Sequence, residues 1–279
     1  MYPAINAWTF SDEPDPRAQI KLAANAGFEG IELTLGADGP LTPDVPLDTF
    51  RDLRTAADDT GIRIDGLACG LFFQTNYASP DASDRMHAYE MTLHMLDRAL
   101  EAGAGSILVV PAVVGHAQDA RPNVSYQDAY RRTLEALSAL GREAEARAVT
   151  IAIENVWNRF LLSPIEAADL IDQINSPHVG FYLDTGNLMP YGYPRDWIAT
   201  LAGRIARVHA KDYDLSRPGK DGFCALGEGS VDWPEVVGGL RDVGYDGPLT
   251  YEGAGDPNEI ARRLRAILDN TPAKEMETD

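Results

Sequence analysis

The chain has 279 residues, 44% of them hydrophobic, which is enough for one large α/β core or two small ones. Its formal net charge of −19 argues against nucleic acid as a partner, because that affinity rests on Lys and Arg neutralising phosphates. Two cysteines, Cys69 and Cys224, exclude a disulfide framework and a Cys-rich zinc site; with no secretion leader and no run of about 18 apolar residues, a cytoplasmic protein without membrane contact is expected.

In chain order, Ala4–Trp8 is a short apolar run, followed by an Asp/Pro turn and a helix over Pro16–Ala26. Gly30–Thr34 reads as a second strand, Asp48–Thr60 as a helix stopped by Gly61, and Ile62–Leu67 as a third strand. A long helix over Ser83–Ala102 ends at Gly103, and Ser106–Val110 is a fourth strand closed by Pro111. The helix Tyr126–Ala146 precedes a fifth strand ending at Glu154, and the helix Pro164–Ile174 precedes a sixth ending at Asp184. Pro194–Leu201 is helical, a seventh strand runs to His209, and Trp233–Val243 is helical again. An eighth strand ends at Glu252, and Pro257–Leu268 is the last helix.

The helices carry apolar residues at three- and four-residue spacing, while the strands are near-continuous apolar runs. Strands of that kind are buried on both faces, as a parallel sheet requires. Eight alternating strand–helix units predict a single (β/α)8 TIM barrel over residues 1–271, with a polar C-terminal tail at 272–279. A doubly wound sheet is disfavoured, since no G-x-G-x-x-G follows the first strand.

Residues at the C-terminal ends of barrel strands converge on one mouth, so Glu154, Asp184, His209 and Glu252 can meet there. A buried carboxylate must be paired, protonated or metal-bound. Three carboxylates and an imidazole suit a hard or borderline divalent cation. Mn²⁺ or Mg²⁺ fits the oxygen-rich set, and the single His also tolerates Co²⁺ or Zn²⁺.

The motifs E-N-V-W-N at 154–158, L-D-T-G-N at 183–187, R-V-H-A-K-D at 207–212, G-E-G-S-V-D-W at 227–233 and T-Y-E-G at 250–253 resemble those of the xylose isomerase-like TIM barrels. That group is the sugar (phosphate) isomerase/epimerase superfamily, and the chain most resembles its ketose 3-epimerases and its hexulose- and pentulose-phosphate enzymes. The resemblance implies four metal ligands at Glu154, Asp184, His209 and Glu252, with Mn²⁺ expected first. It implies that Glu154 and Glu252 are also the catalytic acid/base pair, acting on either face of an enediolate formed next to a metal-bound carbonyl. A sugar or sugar phosphate is the expected partner, and a homodimer or homotetramer the expected assembly. The chain departs from the 3-epimerase pattern at Asn187, where many members carry a substrate-contacting His; an amide can bond a hydroxyl but cannot shuttle a proton. The same departure, with Cys69, counts against the superfamily's abasic-site endonucleases.

Two of the chain's four lysines, Lys211 and Lys220, join Arg217 after the seventh strand. This basic island would suit a substrate phosphate, and ordinary solvated loop charges are the alternative. Glu32, at the end of the second strand, is expected to reach the mouth and bind a sugar hydroxyl, or else to pair with an Arg. Trp8 and Phe72-Phe73 are candidate pocket walls, and His116, after the fourth strand, a candidate substrate contact. His87 and His94 read as helix-surface residues, and Glu228 as a loop-shaping residue between glycines. Besides an isomerase or epimerase, the pattern leaves room for a dehydratase acting on a keto-inositol or a dehydroshikimate-like acid. A catalytically silent sugar-binding or partner subunit is the reading of another class.

Overall fold

The computed structural model describes residues 1–116 and 119–270; the polar tail expected at 272–279 lies outside them. Eight parallel strands form a closed barrel: β1 (Tyr2–Asn6), β2 (Gly30–Leu35), β3 (Arg63–Cys69), β4 (Ser106–Val109), β5 (Thr150–Glu154), β6 (Val179–Asp184), β7 (Ile205–Ala210) and β8 (Pro248–Tyr251). Each strand pairs with its sequence neighbours, and β8 closes the ring on β1. Outside lie α1 (Pro16–Ala26), α2 (Leu47–Thr60), α3 (Ala82–Ala102), α4 (Tyr126–Arg147), α5 (Pro164–Ile174), α6 (Pro194–Leu201), α7 (Trp233–Asp242) and α8 (Pro257–Leu268).

The helix boundaries follow capping chemistry. Asp15, Asp81, Ser125, Ser163, Asp232 and Asp256 each accept a backbone N–H at an N-terminus, while Gly27, Gly61 and Gly103 end helices with positive φ. Among the described residues no helix is long and apolar enough to cross a membrane.

Strand alternation sorts the side chains. Phe181 and Leu183 point out toward the helices, where Phe181 packs its ring 5.8 Å from that of Trp197. Tyr182 and Asp184 point in. Register shifts opposite Ile31/Glu32 and Phe181/Tyr182 leave Asp65 and Ala206 as the extra residues of β3 and β7, and across the lumen the Tyr182 hydroxyl donates to Glu32 at 3.0 Å. Near-continuous apolar runs therefore cover a polar interior.

The first strand is displaced from the expected Ala4–Trp8. It ends at Asn6, whose side chain accepts the Trp8 N–H and turns Ala7–Phe10 into a 3-10 helix. After β7 the chain adds an antiparallel ribbon, Asp212–Tyr213 against Phe223–Cys224, which periodicity does not announce in two-residue strands.

Candidate metal centre and active site

Strands β5 to β8 deliver Glu154, Asp184, His209 and Glu252 to one point at the C-terminal mouth. One donor atom from each lies within 4.8 Å of all the others. His209 is fully buried at the centre: Nδ1 stands 3.1 Å from Glu154 Oε1, 3.0 Å from Glu252 Oε2 and 3.9 Å from Asp184 Oδ2. Asp184 is fixed from two sides. Its Oδ1 accepts the Asn187 N–H at 2.8 Å, and the Asn155 amide brackets its backbone by bonding both the N–H and the C=O. Its other oxygen, Oδ2, and Glu252 Oε2 are buried without an aligned hydrogen bond.

Such orphaned oxygens test whether a cation fits. Donors around an Mg²⁺- or Mn²⁺-sized ion at about 2.1 Å stand at most about 4.2 Å apart, so a small contraction would close this set. The donor chemistry, three carboxylates and one imidazole nitrogen without thiolate, suits a divalent ion. These four residues could hold one.

The electrostatics separate the two glutamates. Burial, with Glu252 close by, pushes Glu154 up to about 8 against the opposing pull of His209. Burial also acts to raise Glu252, but Lys211 and His209 together hold it well below the usual carboxylate range. Burial lowers His209, and the surrounding Glu252, Glu32 and Glu154 overcome it, leaving the imidazole well above its ordinary value.

Glu32 is corrected by its placement. It is 2% exposed and lies beneath His209, where Oε2 meets Nε2 at 2.8 Å and the Asn6 amide at 2.6 Å while Oε1 accepts the Tyr182 hydroxyl. In this placement its oxygens are taken up by His209, Asn6 and Tyr182. Its contact fixes which imidazole nitrogen faces the cluster, the arrangement that commonly orients metal-binding histidines.

The expected basic island does not form. Lys211 turns inward, its Nζ 2.9 Å from Asp184 Oδ2 and 2.7 Å from Glu252 Oε2. Arg217 is exposed and spent on Asp214, three residues earlier, at 2.9 Å. Lys220 is exposed on the same loop. Asp212, next to Lys211, is buried. It accepts hydrogen bonds from the backbone of Tyr213, Gly227 and Val231 and from Trp233 Nε1, so the G-E-G-S-V-D-W motif is a cradle for this one carboxylate. A Cβ on Gly229 would fall 2.2 Å from Asp212 Oδ1. Glu228 pairs with Arg263 at 2.7 Å.

Asn187 lies in the helical turn Thr185–Leu188, its carbonyl accepting Trp157 Nε1 at 2.9 Å. Trp157 in turn stacks on Phe223 of the ribbon at 5.2 Å, an aromatic wall that appears only once the ribbon is formed. Trp8 is 40% exposed on its turn, and of the Phe pair Phe72 is core while Phe73 is exposed. His116 is half-buried and its N–H donates to Asp119. His94 pairs with Asp44 on the surface. Beside Glu252 opens a cavity of about 490 Å³, lined among others by Lys211, Phe223, Cys224 and Tyr251.

Residues 20–271 match the profile of the xylose isomerase-like TIM barrels. The chain belongs to that family. Among characterised relatives it is 31% identical over 188 residues to a 2-epi-5-epi-valiolone 7-phosphate 2-epimerase from Actinoplanes sp., a match covering 67% of this chain and 63% of that protein. It is 23% identical to the D-psicose 3-epimerase of Ruminiclostridium cellulolyticum, over 88% of this chain and 80% of the other. A solved structure, that of the IOLI protein with a binding zinc atom, superposes with a TM-score of 0.75 at 18% identity, covering 99% of this chain and 96% of that one. Both of these relatives are epimerases, and this chain carries a four-residue acidic/His cluster suited to a divalent metal.

Proposed function

We propose that the protein is a divalent-metal-dependent isomerase or epimerase of a ketose, ketose phosphate or cyclic polyol ketone. The observation that carries this reading is the pairing of Glu154 and Glu252. Both flank His209 Nδ1 within one donor set, and their environments drive their proton affinities in opposite directions. Groups pushed apart in this way suit complementary acid and base roles. A cation held by Glu154, Asp184, His209 and Glu252 would supply Lewis acidity, drawing electron density from a substrate carbonyl. One of these two glutamates would take the proton from the carbon beside the carbonyl, and the other would return one at the opposite face. Glu32 and Asn155 would keep His209 and Asp184 in place throughout. The epimerase relatives, one acting on a cyclitol phosphate and one on a free ketose, support the substrate class.

The test is proton NMR in D₂O with Mn²⁺-loaded protein and a panel of ketoses, ketose phosphates and keto-inositols. Deuterium entering at the carbon beside the carbonyl, and ceasing with EDTA, is the expected result. Loss of the hydroxyl from the next carbon along, β to the carbonyl, would make the enzyme a dehydratase, a reading that the amide at Asn187 leaves room for. No exchange with any compound would remove the enolisation mechanism.

A further inference from the structure

Lys211 is more elaborately placed than a counter-ion needs to be. Its backbone is clamped by Thr185, whose hydroxyl donates to the Lys211 carbonyl at 2.7 Å and lies 3.1 Å from its N–H. Gly186 permits this approach, because a Cβ there would stand 2.7 Å from Lys211 Cβ. The D-T-G-N segment after β6 and the K-D segment after β7 are thus built against each other, and what they fix is the root of this one side chain.

The ammonium has three donors. Two oxygens stand near it, Asp184 Oδ2 and Glu252 Oε2, and neither accepts an aligned hydrogen bond. The Phe223 ring, 5.6 Å away, offers a face and no acceptor lone pair. At least one N–H is therefore left for an acceptor in the cavity that Lys211 lines together with Glu252. The neighbouring polar position, Asn187, is neutral. Arg217 is paired to Asp214, and Arg263 to Glu228 and Glu259.

We propose that Lys211 is a catalytic residue that donates a hydrogen bond to the substrate oxygen on which negative charge develops; the inference rests on the enolisation reading above. In that step a C–H bond breaks and its proton goes to one glutamate. The electron pair forms the C=C bond, and the carbonyl π pair moves onto oxygen. Lys211 keeps its proton and stabilises that oxygen, and the reverse flow follows when the other glutamate delivers a proton. Fixed donors aimed at developing charge in a water-poor site are usually large contributors to rate. The same ammonium explains how the chain tolerates Asn187: positive charge beside the reacting atoms comes from the end of β7 rather than from the turn after β6.

The experiment compares full-length wild type with Lys211→Met and Lys211→Arg. It measures Mn²⁺ affinity by calorimetry, affinity of the Mn²⁺-loaded proteins for glycolohydroxamate (a planar enediolate mimic), and the exchange rate in D₂O. Lys211→Met should bind Mn²⁺ at least as tightly as wild type, since a cation beside the ligands is gone. It should bind the mimic far more weakly and lose roughly 100-fold or more in kcat, with little change in KM. Lys211→Arg should recover part of both losses. Unchanged binding of the mimic, or a kcat within about threefold of wild type, would reduce Lys211 to a counter-ion and overturn the proposal. A collapse of Mn²⁺ affinity in Lys211→Met would overturn it too, by making the residue an organiser of the metal site. If wild type itself binds no mimic and exchanges no substrate, the enolisation reading fails, and that outcome is distinct from a defect confined to the variant.

Discussion

At the N-terminal end of the barrel lumen Asp65 is buried and faces the Tyr2 hydroxyl at 2.7 Å, with Arg207 beside it. At the C-terminal end Glu32, Glu154, Asp184 and Glu252 crowd around His209 and Lys211. Each layer leaves polar atoms unpartnered: Asp65 Oδ2 and Arg207 Nε below, Asp184 Oδ2 and Glu252 Oε2 above. The difference lies in the charge balance. Below, a single carboxylate has the Tyr2 hydroxyl as its partner and the charges of Arg207 and Arg63 nearby, so cations of its own layer offset it. Above, four carboxylates meet Lys211 and an imidazole that is a cation only while no metal holds it, so the layer carries a net negative charge that a divalent ion would offset. An acid layer of that kind is costly to bury unless something else neutralises it, and in the metal-free protein a proton retained on Glu154 makes up part of the difference. Buried charge alone does not mark function. Buried charge that its own layer leaves uncompensated does.

The largest expected effect is at the upper layer. Glu252→Gln should leave the barrel folded, because it removes one of the excess charges, yet slow substrate exchange by about 10²–10⁴-fold, the usual worth of a positioned acid or base. Exchange rates in D₂O alongside circular dichroism would check this, and full turnover by the variant would erase the asserted role of the upper layer. The lower layer should behave in the opposite way. Arg207→Met would remove one of the cations near buried Asp65 and the hydrogen bond to its backbone carbonyl, and should cost about 1–3 kcal/mol of stability, with turnover of the surviving folded enzyme unchanged. Denaturant titration and exchange kinetics on the same sample separate the two outcomes.

These two layers were not equally legible in the sequence. Glu154, Asp184, His209 and Glu252 could be read because each follows an apolar run, and in a parallel barrel the end of a strand fixes a place in space. Glu32 also follows such a run, and the same rule sends it to the mouth. But β2 runs on through Leu35, so Glu32 is a mid-strand residue that points inward beneath His209, and a charged residue inside a short run reads as the end of the run. Lys211 and Arg217 share a loop in sequence but face apart in space. Asp214, three residues before Arg217, captures the guanidinium, while Asp184 and Glu252, from distant strands, capture the ammonium. The lower layer was silent for a related reason. Asp65 and Arg207 sit inside strands that read as apolar, and only the alternation of the closed barrel brings them together.

Glu32 offers a finer test, because it touches the upper layer without contributing a ligand. Glu32→Gln keeps the shape and can still accept from Asn6 or Tyr182, but weakens the hold on His209 Nε2. Mn²⁺ affinity should fall about 10–100-fold, the range found for carboxylates that orient metal-bound histidines. Calorimetric titration that returned wild-type affinity would show that His209 is held by the ligand set alone.

The smallest effect is in the dependence of stability on pH. Glu154 ordinarily titrates near 4.5 and is raised to about 8 in the fold, so between those values the folded state holds a proton that the unfolded chain has lost. Stability of the metal-free protein therefore falls as pH rises through this window. His209, raised above its ordinary value by the carboxylates, has the same sign: its contribution is present at low pH and is lost as pH rises through its folded value. Glu252, held low, has the opposite sign, but its window lies below its ordinary 4.5 and matters only in acid. Asp65, raised to about 6 by burial, adds to the decline only at the lower edge. Metal-stripped protein should thus lose roughly 2–6 °C in melting temperature between pH 6 and pH 8. Saturating Mn²⁺ should abolish that slope, because a cation in the upper layer takes over the neutralisation that Glu154 otherwise obtains from its proton. A flat or rising melting temperature in the metal-stripped protein over this range would mean that the upper layer finds its compensation within the chain. The contrast with the lower layer would then lose its electrostatic basis.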